Sequence, residues 1–242
     1  MRPLLVGCPV RERAWILPRY LGCLGALLRP AGGLQFHFVV QPSQDATEAI
    51  IASWCGIRPN ASWGRVTGAP GGWARGAYDY AWLACVRNLL ADQALAAGAD
   101  LLSIDSDILV PPGLAVGLDA NHLPVVAAVI SNRVGKAVDE TDAINARPFE
   151  DGQHAAGIRA CKAGLHQVEW TGACCLYRHE VLAAGARWAW HREGEDVAMC
   201  ASARALGVRC YVDGRIRADH YMTASTRDSI PTQTSEQSFQ GF

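Results

Sequence analysis

Two aspartates separated by one serine follow an apolar segment near the middle of the chain. Asp105, Ser106 and Asp107 come directly after residues 101–104, and Pro111 and Pro112 follow shortly afterwards. In extended chain, residues i and i+2 point to the same side, so the two carboxylates repel each other unless a cation lies between them. Mg²⁺ and Mn²⁺ suit such a position, since they take oxygen ligands from protein, phosphates and water. A solvated turn is an equally good interpretation of this motif alone, because aspartate favours turns.

Three more residues farther along the chain have side chains that could complete such a site. Glu195 and Asp196 stand at the start of a helical pattern, and His220 follows the last predicted strand. Acidic residues at a helix start are also explained by capping and by the helix dipole. The chemical interpretation is that one carboxylate is a general base beside a metal-bound substrate and that the imidazole is a metal ligand.

Alternating strand and helix patterns must position these residues. Predicted strands cover residues 4–9, 34–40, 64–67, 101–104, 125–130, 168–177 and 209–212, and predicted helices cover 18–28, 45–55, 78–97, 113–118, 181–184 and 196–206. This order predicts an α/β fold, Rossmann-like and doubly wound, with a mostly parallel sheet. Ligands of such sheets bind outside the carboxyl ends of the strands, which is where Asp105 and Asp107 lie.

Composition limits the class of protein. The 242 residues show no internal repeat, which predicts one domain over 1–222 and a flexible tail over 223–242, where Ser, Thr and Gln are frequent. A net charge of -1 argues against a nucleic-acid partner. We expect no membrane span. Nine scattered cysteines without a C-x-x-C pair predict reduced thiols and a cytoplasmic protein. Residues 68–76 and 131–165 are predicted to be loops, the second over a site.

The order of the motifs resembles that of nucleotide-sugar-dependent glycosyltransferases with the A-type fold, especially family 2-like enzymes. The resemblance extends over residues 3–222. It is carried by residues 8–13 (CPVRER), 41–47 (QPSQDAT), 87–88 (RN), 105–107 (DSD), 169–175 (EWTGACC), 194–200 (GEDVAMC), 204–207 (RALG) and His220. In the second segment Gln41 stands where the family usually has an aspartate.

The resemblance implies a nucleoside diphosphate-sugar donor, with a UDP-sugar favoured, a hydroxyl acceptor and a Mn²⁺ or Mg²⁺ cofactor. Asp196, or else Glu195, would take the acceptor's proton, and the sugar would transfer with inversion. The other implied site residues are Pro9, Val10, Arg11, Asp45, Arg87, Asp105, Ser106 and Asp107 for the donor, Trp170, Thr171 and Gly172 for the sugar and acceptor, and Asp105, Asp107 and His220 for the metal.

Several alternatives stay open at this point. A sugar-phosphate nucleotidyltransferase shares a similar sheet, although a glycine-rich loop would be expected after the first strand and Cys8 is followed by PVRER. A glycosyltransferase-like binding module without turnover is the second alternative. Trp170, Trp188 and Trp190 are either sugar-stacking or core residues. The acceptor, retention against inversion, and a homodimer against other oligomeric states are also left open.

Overall fold

A computed structural model describes residues 2–68, 79–130, 145–148 and 163–221. The predicted tail and most of the two predicted loops lie outside these residues. The strands are β1 (Leu4–Val10), β2 (Leu34–Val40), β3 (Ala61–Arg65), β4 (Asp100–Ile104), β5 (Ile108–Leu109), β6 (Val125–Ile130), β7 (Ala146–Pro148), β8 (Leu165–Thr171), β9 (Cys174–Tyr177) and β10 (Cys210–His220). The helices are α1 (Leu17–Gly25), α2 (Thr47–Gly56), α3 (Tyr80–Ala96), α4 (Leu114–Asp119), α5 (His179–Ala183) and α6 (Glu195–Ala205).

One large sheet runs through the described residues in the order β3-β2-β1-β4-β9-β6-β10-β8-β7, with β5 paired to the end of β10. β1 pairs in parallel with β2 and β4, and β6 pairs in parallel with β10. Within this row, β9 and β8 run against the other strands. The prediction of an α/β fold with a mostly parallel sheet is therefore confirmed.

Helices cover both faces of the sheet and bury its central strands. Every residue of β1, β4 and β6 is buried, which explains why these segments are apolar without alternation. One core, which includes Tyr20 and Phe38, lies under α1, α2 and α4. The other, which includes Leu90 and Met199, lies under α3, α5 and α6. The carboxyl ends of the parallel strands β1, β2 and β4 lie side by side at one edge of the sheet.

Four details of the predicted elements are wrong. The strand expected over 168–177 is two antiparallel strands, β8 and β9, separated by Gly172 and Ala173. The last strand is eleven residues long and continues through an irregularity between Asp213 and Arg217, where Arg215 Nε donates to Asp213 Oδ1 at 2.8 Å. Strand β5 was not predicted. Strand β7 was not predicted either, because residues 131–165 were predicted to be a loop.

Candidate functional site

A cavity of about 490 Å³ opens where β1, β2 and β4 end and α6 begins. Its position agrees with the rule that open α/β sheets bind ligands at the carboxyl ends of their strands. The residues that line it are Pro9, Arg11, Arg13, Gln41, Tyr80, Leu83, Arg87, Asp105, Ser106, Asp107, Asn145, Trp170, Ala173, Glu193, Gly194, Glu195, Asp196, Val197 and His220. The two acidic motifs and the C-terminal histidine, which are far apart in sequence, thus share one cavity.

Asp107 lies between two basic side chains. Arg13 donates from Nη2 to Asp107 Oδ2 at 3.0 Å, and His220 Nε2 is 3.6 Å from Oδ1. The antiparallel pairing of His220 with Ile108 brings the end of β10 to this position, and Tyr221 N donates to the Asp107 carbonyl at 2.9 Å. Burial acts to raise the pKa of Asp107, but the hydrogen bond from His220 and the charge of Arg13 hold it below its ordinary value.

Arg87 joins the first acidic motif to the second. It extends from α3, is only 4% exposed, and donates to Asp105 Oδ1 and Glu195 Oε1, both at 2.8 Å. A third hydrogen bond goes to Ser103 Oγ at 3.2 Å. Burial raises the pKa of Asp105 to about 6 and also raises that of Glu195, while Arg87 opposes both increases. The guanidinium is therefore the main counter-charge of the buried Glu195 carboxylate and of the partly exposed Asp105 carboxylate.

Asp196 is held by two donors on its opposite oxygens. Trp188 Nε1 donates to Oδ1 at 3.0 Å, and Ala173 N donates to Oδ2 at 3.3 Å. Ala173 has a φ of 61°, and a Cβ at neighbouring Gly172 would lie 1.8 Å from Asp196 Oδ2. The turn between β8 and β9 therefore requires Gly172 because Asp196 packs directly against it.

Trp188 is a support for Asp196 and not an open surface for a sugar. Its ring is buried against Tyr177, with centroids 5.0 Å apart and planes at 73°. Asn88 binds the Trp188 backbone twice, accepting from N at 3.0 Å and donating to O at 2.8 Å. The Arg87-Asn88 motif therefore has a structural role. Arg87 neutralises Asp105 and Glu195, and Asn88 fixes the backbone of Trp188.

The predicted site residues fall into two groups. Pro9, Arg11, Arg87, Asp105, Ser106, Asp107, Trp170, Glu195, Asp196 and His220 line the cavity, and Gly172 touches Asp196 from behind. Val10, Asp45 and Thr171 do not line it. Asp45 is exposed and accepts from Ala14 N and Thr47 N, both at 2.9 Å, so it joins the β1 loop to α2. Val10 and Thr171 are buried.

The cavity is also lined by residues for which no individual role was predicted, namely Arg13, Ala173, Tyr80, Asn145 and Glu193. Arg13 was detectable as a second basic residue two positions after Arg11, in the loop after the first predicted strand. Its backbone is fixed by a hydrogen bond from N to Thr47 Oγ1 at 2.8 Å. Ala173 stands in the 169–175 segment that carries the resemblance, whereas Tyr80, Asn145 and Glu193 have no local pattern that marks them.

The donor set of a metal site is present only in part. Within residues 2–68, 79–130, 145–148 and 163–221, no three His, Cys, Asp or Glu side chains are grouped so as to hold a metal ion. Asp107 and His220 are close enough to share one, and the oxygen and imidazole donors match the preferences of Mn²⁺. In the same stretches, no helix combines the length and the apolar character that crossing a membrane needs.

Comparison with known proteins finds no family model and no curated protein that matches the chain. Solved structures do match. TarS from S. aureus is 16% identical with a TM-score of 0.62, over 94% of this chain and 38% of TarS. TarS 1–349 in complex with UDP-GlcNAc is 16% identical with a TM-score of 0.62, over 92% and 59%. GalNAc-T7 with UDP, GalNAc and Mn²⁺ is 13% identical with a TM-score of 0.61, over 91% and 44%.

These neighbours are glycosyltransferases of the A type. The chain spans 38% of full TarS, 59% of its 1–349 fragment and 44% of GalNAc-T7, so it corresponds to part of each. Identities of 13–16% show a shared fold and leave activity to be argued from the site. The expected resemblance is thus confirmed at the level of architecture: the chain has the glycosyltransferase A-type fold.

Proposed function

We propose that the protein is a glycosyltransferase that moves a sugar from a nucleoside diphosphate-sugar to an acceptor hydroxyl with the help of a divalent cation. The observation that carries the proposal is the cavity at the strand ends of an A-type fold, in which Asp105, Asp107, Glu195, Asp196 and His220 come together. Neighbours with this fold have been solved with UDP, UDP-GlcNAc, or UDP with GalNAc and Mn²⁺, which favours a UDP-sugar.

The charge of the cavity supports a cation as part of the complex. Five carboxylates and three guanidinium groups line it, so negative charge is in excess. A diphosphate is itself an anion, and it would be repelled from such a cavity unless a cation accompanied it. Asp107 and His220 would hold the ion, with Asp105 as the second acidic residue, contacting either the ion or a ribose hydroxyl. The ion would neutralise charge on the departing diphosphate.

The side chains of the protein have separate tasks in this proposal. Arg11 and Arg13 would contact the phosphates, because both follow β1 and line the cavity, and Arg13 also pairs with Asp107. Trp170 would contact the sugar or acceptor from the β8 side. Arg147 lies over the Trp170 ring, with Cζ 5.6 Å from the ring centroid. One face of this indole is therefore covered by the guanidinium.

Asp196 is the better candidate for the base. Glu195 already accepts from Arg87 at 2.8 Å, whereas the nearest guanidinium nitrogen of Arg87 is 3.8 Å from Asp196. Trp188 and Ala173 hold the Asp196 carboxylate in one orientation, as a base must be held relative to the hydroxyl that it deprotonates. A single attack with Asp196 as base inverts the configuration of the sugar, and we propose inversion for that reason.

The test combines binding and turnover. Nucleoside diphosphates are titrated calorimetrically with and without Mn²⁺, and nucleotide-sugars are assayed for transfer and for slow hydrolysis. Asp107→Ala should abolish the metal dependence of UDP binding, and Asp196→Asn should remove transfer while keeping donor binding. Asp92→Asn, a matched change at an exposed carboxylate on α3, should alter neither. Unchanged metal dependence in Asp107→Ala would refute the proposed cation site, and full turnover in Asp196→Asn would refute the base.

A further inference from the structure

Arg13 pairs with the carboxylate on which the proposed cation site depends. Its Nη2 donates to Asp107 Oδ2 at 3.0 Å, and the side chains of Arg13 and Asp107 are only 19% and 10% exposed. Charges shielded from water interact strongly, so the guanidinium is an effective counter-charge of Asp107. A divalent cation shared by Asp107 and His220 would bring a second positive charge to this carboxylate and would be repelled by Arg13.

The other contacts of the Arg13 guanidinium are weak. Nη1 donates to Arg11 O at 3.5 Å and to Glu12 O at 3.4 Å, both longer than ordinary N–H···O hydrogen bonds. Nε is buried and has no hydrogen-bond partner in the part of the chain that the structure describes. A buried donor without an acceptor costs free energy, which a ligand with acceptor oxygens would recover. The guanidinium is therefore held mainly by Asp107 and retains an unused donor.

The backbone of Arg13 is fixed, so a change of partner requires only its side chain to move. Arg13 N donates to Thr47 Oγ1 at 2.8 Å. The Arg13 carbonyl accepts from Ile16 N and Leu17 N, both at 3.0 Å, where α1 begins. The side chain itself lines the cavity and has several rotatable bonds. Phosphate oxygens are strong acceptors for a guanidinium fork, so a diphosphate in the cavity would compete with Asp107 for Arg13.

We propose that Arg13 couples the binding of the cation to the binding of the nucleotide. Without nucleotide, its guanidinium holds Asp107 and keeps the affinity for the cation low. When a nucleoside diphosphate enters, the guanidinium transfers to the phosphate oxygens and releases Asp107 to the cation. This inference rests on the proposed function, in which both ligands share the cavity. Cation and nucleotide then bind tightly only together, and each raises the affinity for the other by the same factor.

The test measures the affinity for Mn²⁺ alone by calorimetry, and the affinity for UDP without and with Mn²⁺. Arg13→Gln removes the charge but keeps an amide donor. It should bind Mn²⁺ alone at least about tenfold more tightly than wild type, and the factor by which Mn²⁺ strengthens UDP binding should fall by a similar amount. Arg13→Lys keeps the charge and should retain the weak Mn²⁺ affinity of wild type. Arg29→Gln, the same change at an exposed arginine after α1, should behave as wild type.

The outcomes separate this inference from the proposed function. If wild type binds UDP neither with nor without Mn²⁺, the proposed function fails and the inference fails with it. If UDP binding depends on Mn²⁺ but Arg13→Gln keeps the wild-type affinity for Mn²⁺ alone, the role of Arg13 alone is overturned. The same holds if Arg13→Lys binds Mn²⁺ as tightly as Arg13→Gln. Wild type decides if circular dichroism shows that Arg13→Gln does not fold: Mn²⁺ binding that is equally tight without and with UDP overturns the inference.

Discussion

Replacing Arg87 by methionine should destabilise the protein more than any change at an exposed ion pair. Methionine retains much of the aliphatic volume on α3 but leaves Glu195 and Asp105 without their shared cation. The Glu195 side chain is 6% exposed, so water cannot replace the lost guanidinium there, whereas the Asp105 side chain is 27% exposed and recovers some hydration. Breaking a buried pair from one side costs about 3–5 kcal/mol, and we expect a value in that range.

The assay is denaturant unfolding at pH 7, followed by far-UV circular dichroism and tryptophan fluorescence. Arg65→Met is the matched control, since Arg65 pairs with Glu48 at the surface and its side chain is 60% exposed. That control should cost no more than about 1 kcal/mol. Adding Glu195→Gln to Arg87→Met should recover part of the loss, because an uncharged amide can be buried at lower cost.

The pH dependence of stability is a second test of Arg87 as the counter-charge of Glu195. Burial raises the pKa of Glu195 and Arg87 opposes the increase, so removing Arg87 raises that pKa further. A carboxyl whose pKa is raised on folding costs stability as pH rises above its ordinary value, near pH 4.5. The difference between wild type and Arg87→Met should therefore be larger at pH 8 than at pH 5. A loss below about 1 kcal/mol at pH 7, or a loss that grows as pH falls, would refute the assignment of Arg87 as counter-charge.

Three further predictions concern single contacts. Gly172→Ala should reduce the transfer rate about 100-fold, measured with saturating donor, because the new Cβ displaces Asp196 from its position. Trp188→Phe keeps the aromatic packing but loses the N–H, so kcat should fall about tenfold with little change in KM; an unchanged kcat would contradict the support given to Asp196. Asp213→Asn should destabilise the protein at neutral pH. Although burial opposes it, hydrogen bonding from Arg215 lowers the pKa of Asp213, so the difference from wild type should shrink only as pH falls below about 4, towards the lowered pKa of the folded state.

The elements that could be predicted from the sequence are those marked by a pattern of neighbouring residues. The strand boundaries predicted over 34–40 and 125–130 coincide with β2 and β6. β6 is an apolar run, and β2 alternates apolar and polar residues before an apolar end. The two acidic motifs were recognisable since each is contiguous and stands at the end of one element or the start of another. Their convergence then followed from the rule for open α/β sheets, and the cavity agrees with it.

The remaining features depend on contacts between distant residues. Arg13 and Asp107, which form an ion pair, are 94 residues apart in the sequence, and Asn88 and Trp188, which are hydrogen-bonded, are 100 residues apart. No periodicity marks such pairs. The last strand was predicted to end at residue 212, but in the structure it continues through an irregularity between Asp213 and Arg217 to His220. Strand β5 has two residues and is too short to give a pattern.

The turn at Ala173 couples the two halves of the candidate site. Its carbonyl accepts from Asp105 N at 2.8 Å, and its own N donates to Asp196 Oδ2 at 3.3 Å. A φ of 61° is unfavourable for alanine, and such backbone strain persists only where surrounding contacts enforce it. The enforcing contacts here are the two acidic motifs themselves. In the proposed reaction, the residues at the leaving diphosphate and the base at the acceptor would therefore take their relative positions from the two peptide groups of one residue, Ala173, and a shift of that residue would change both together.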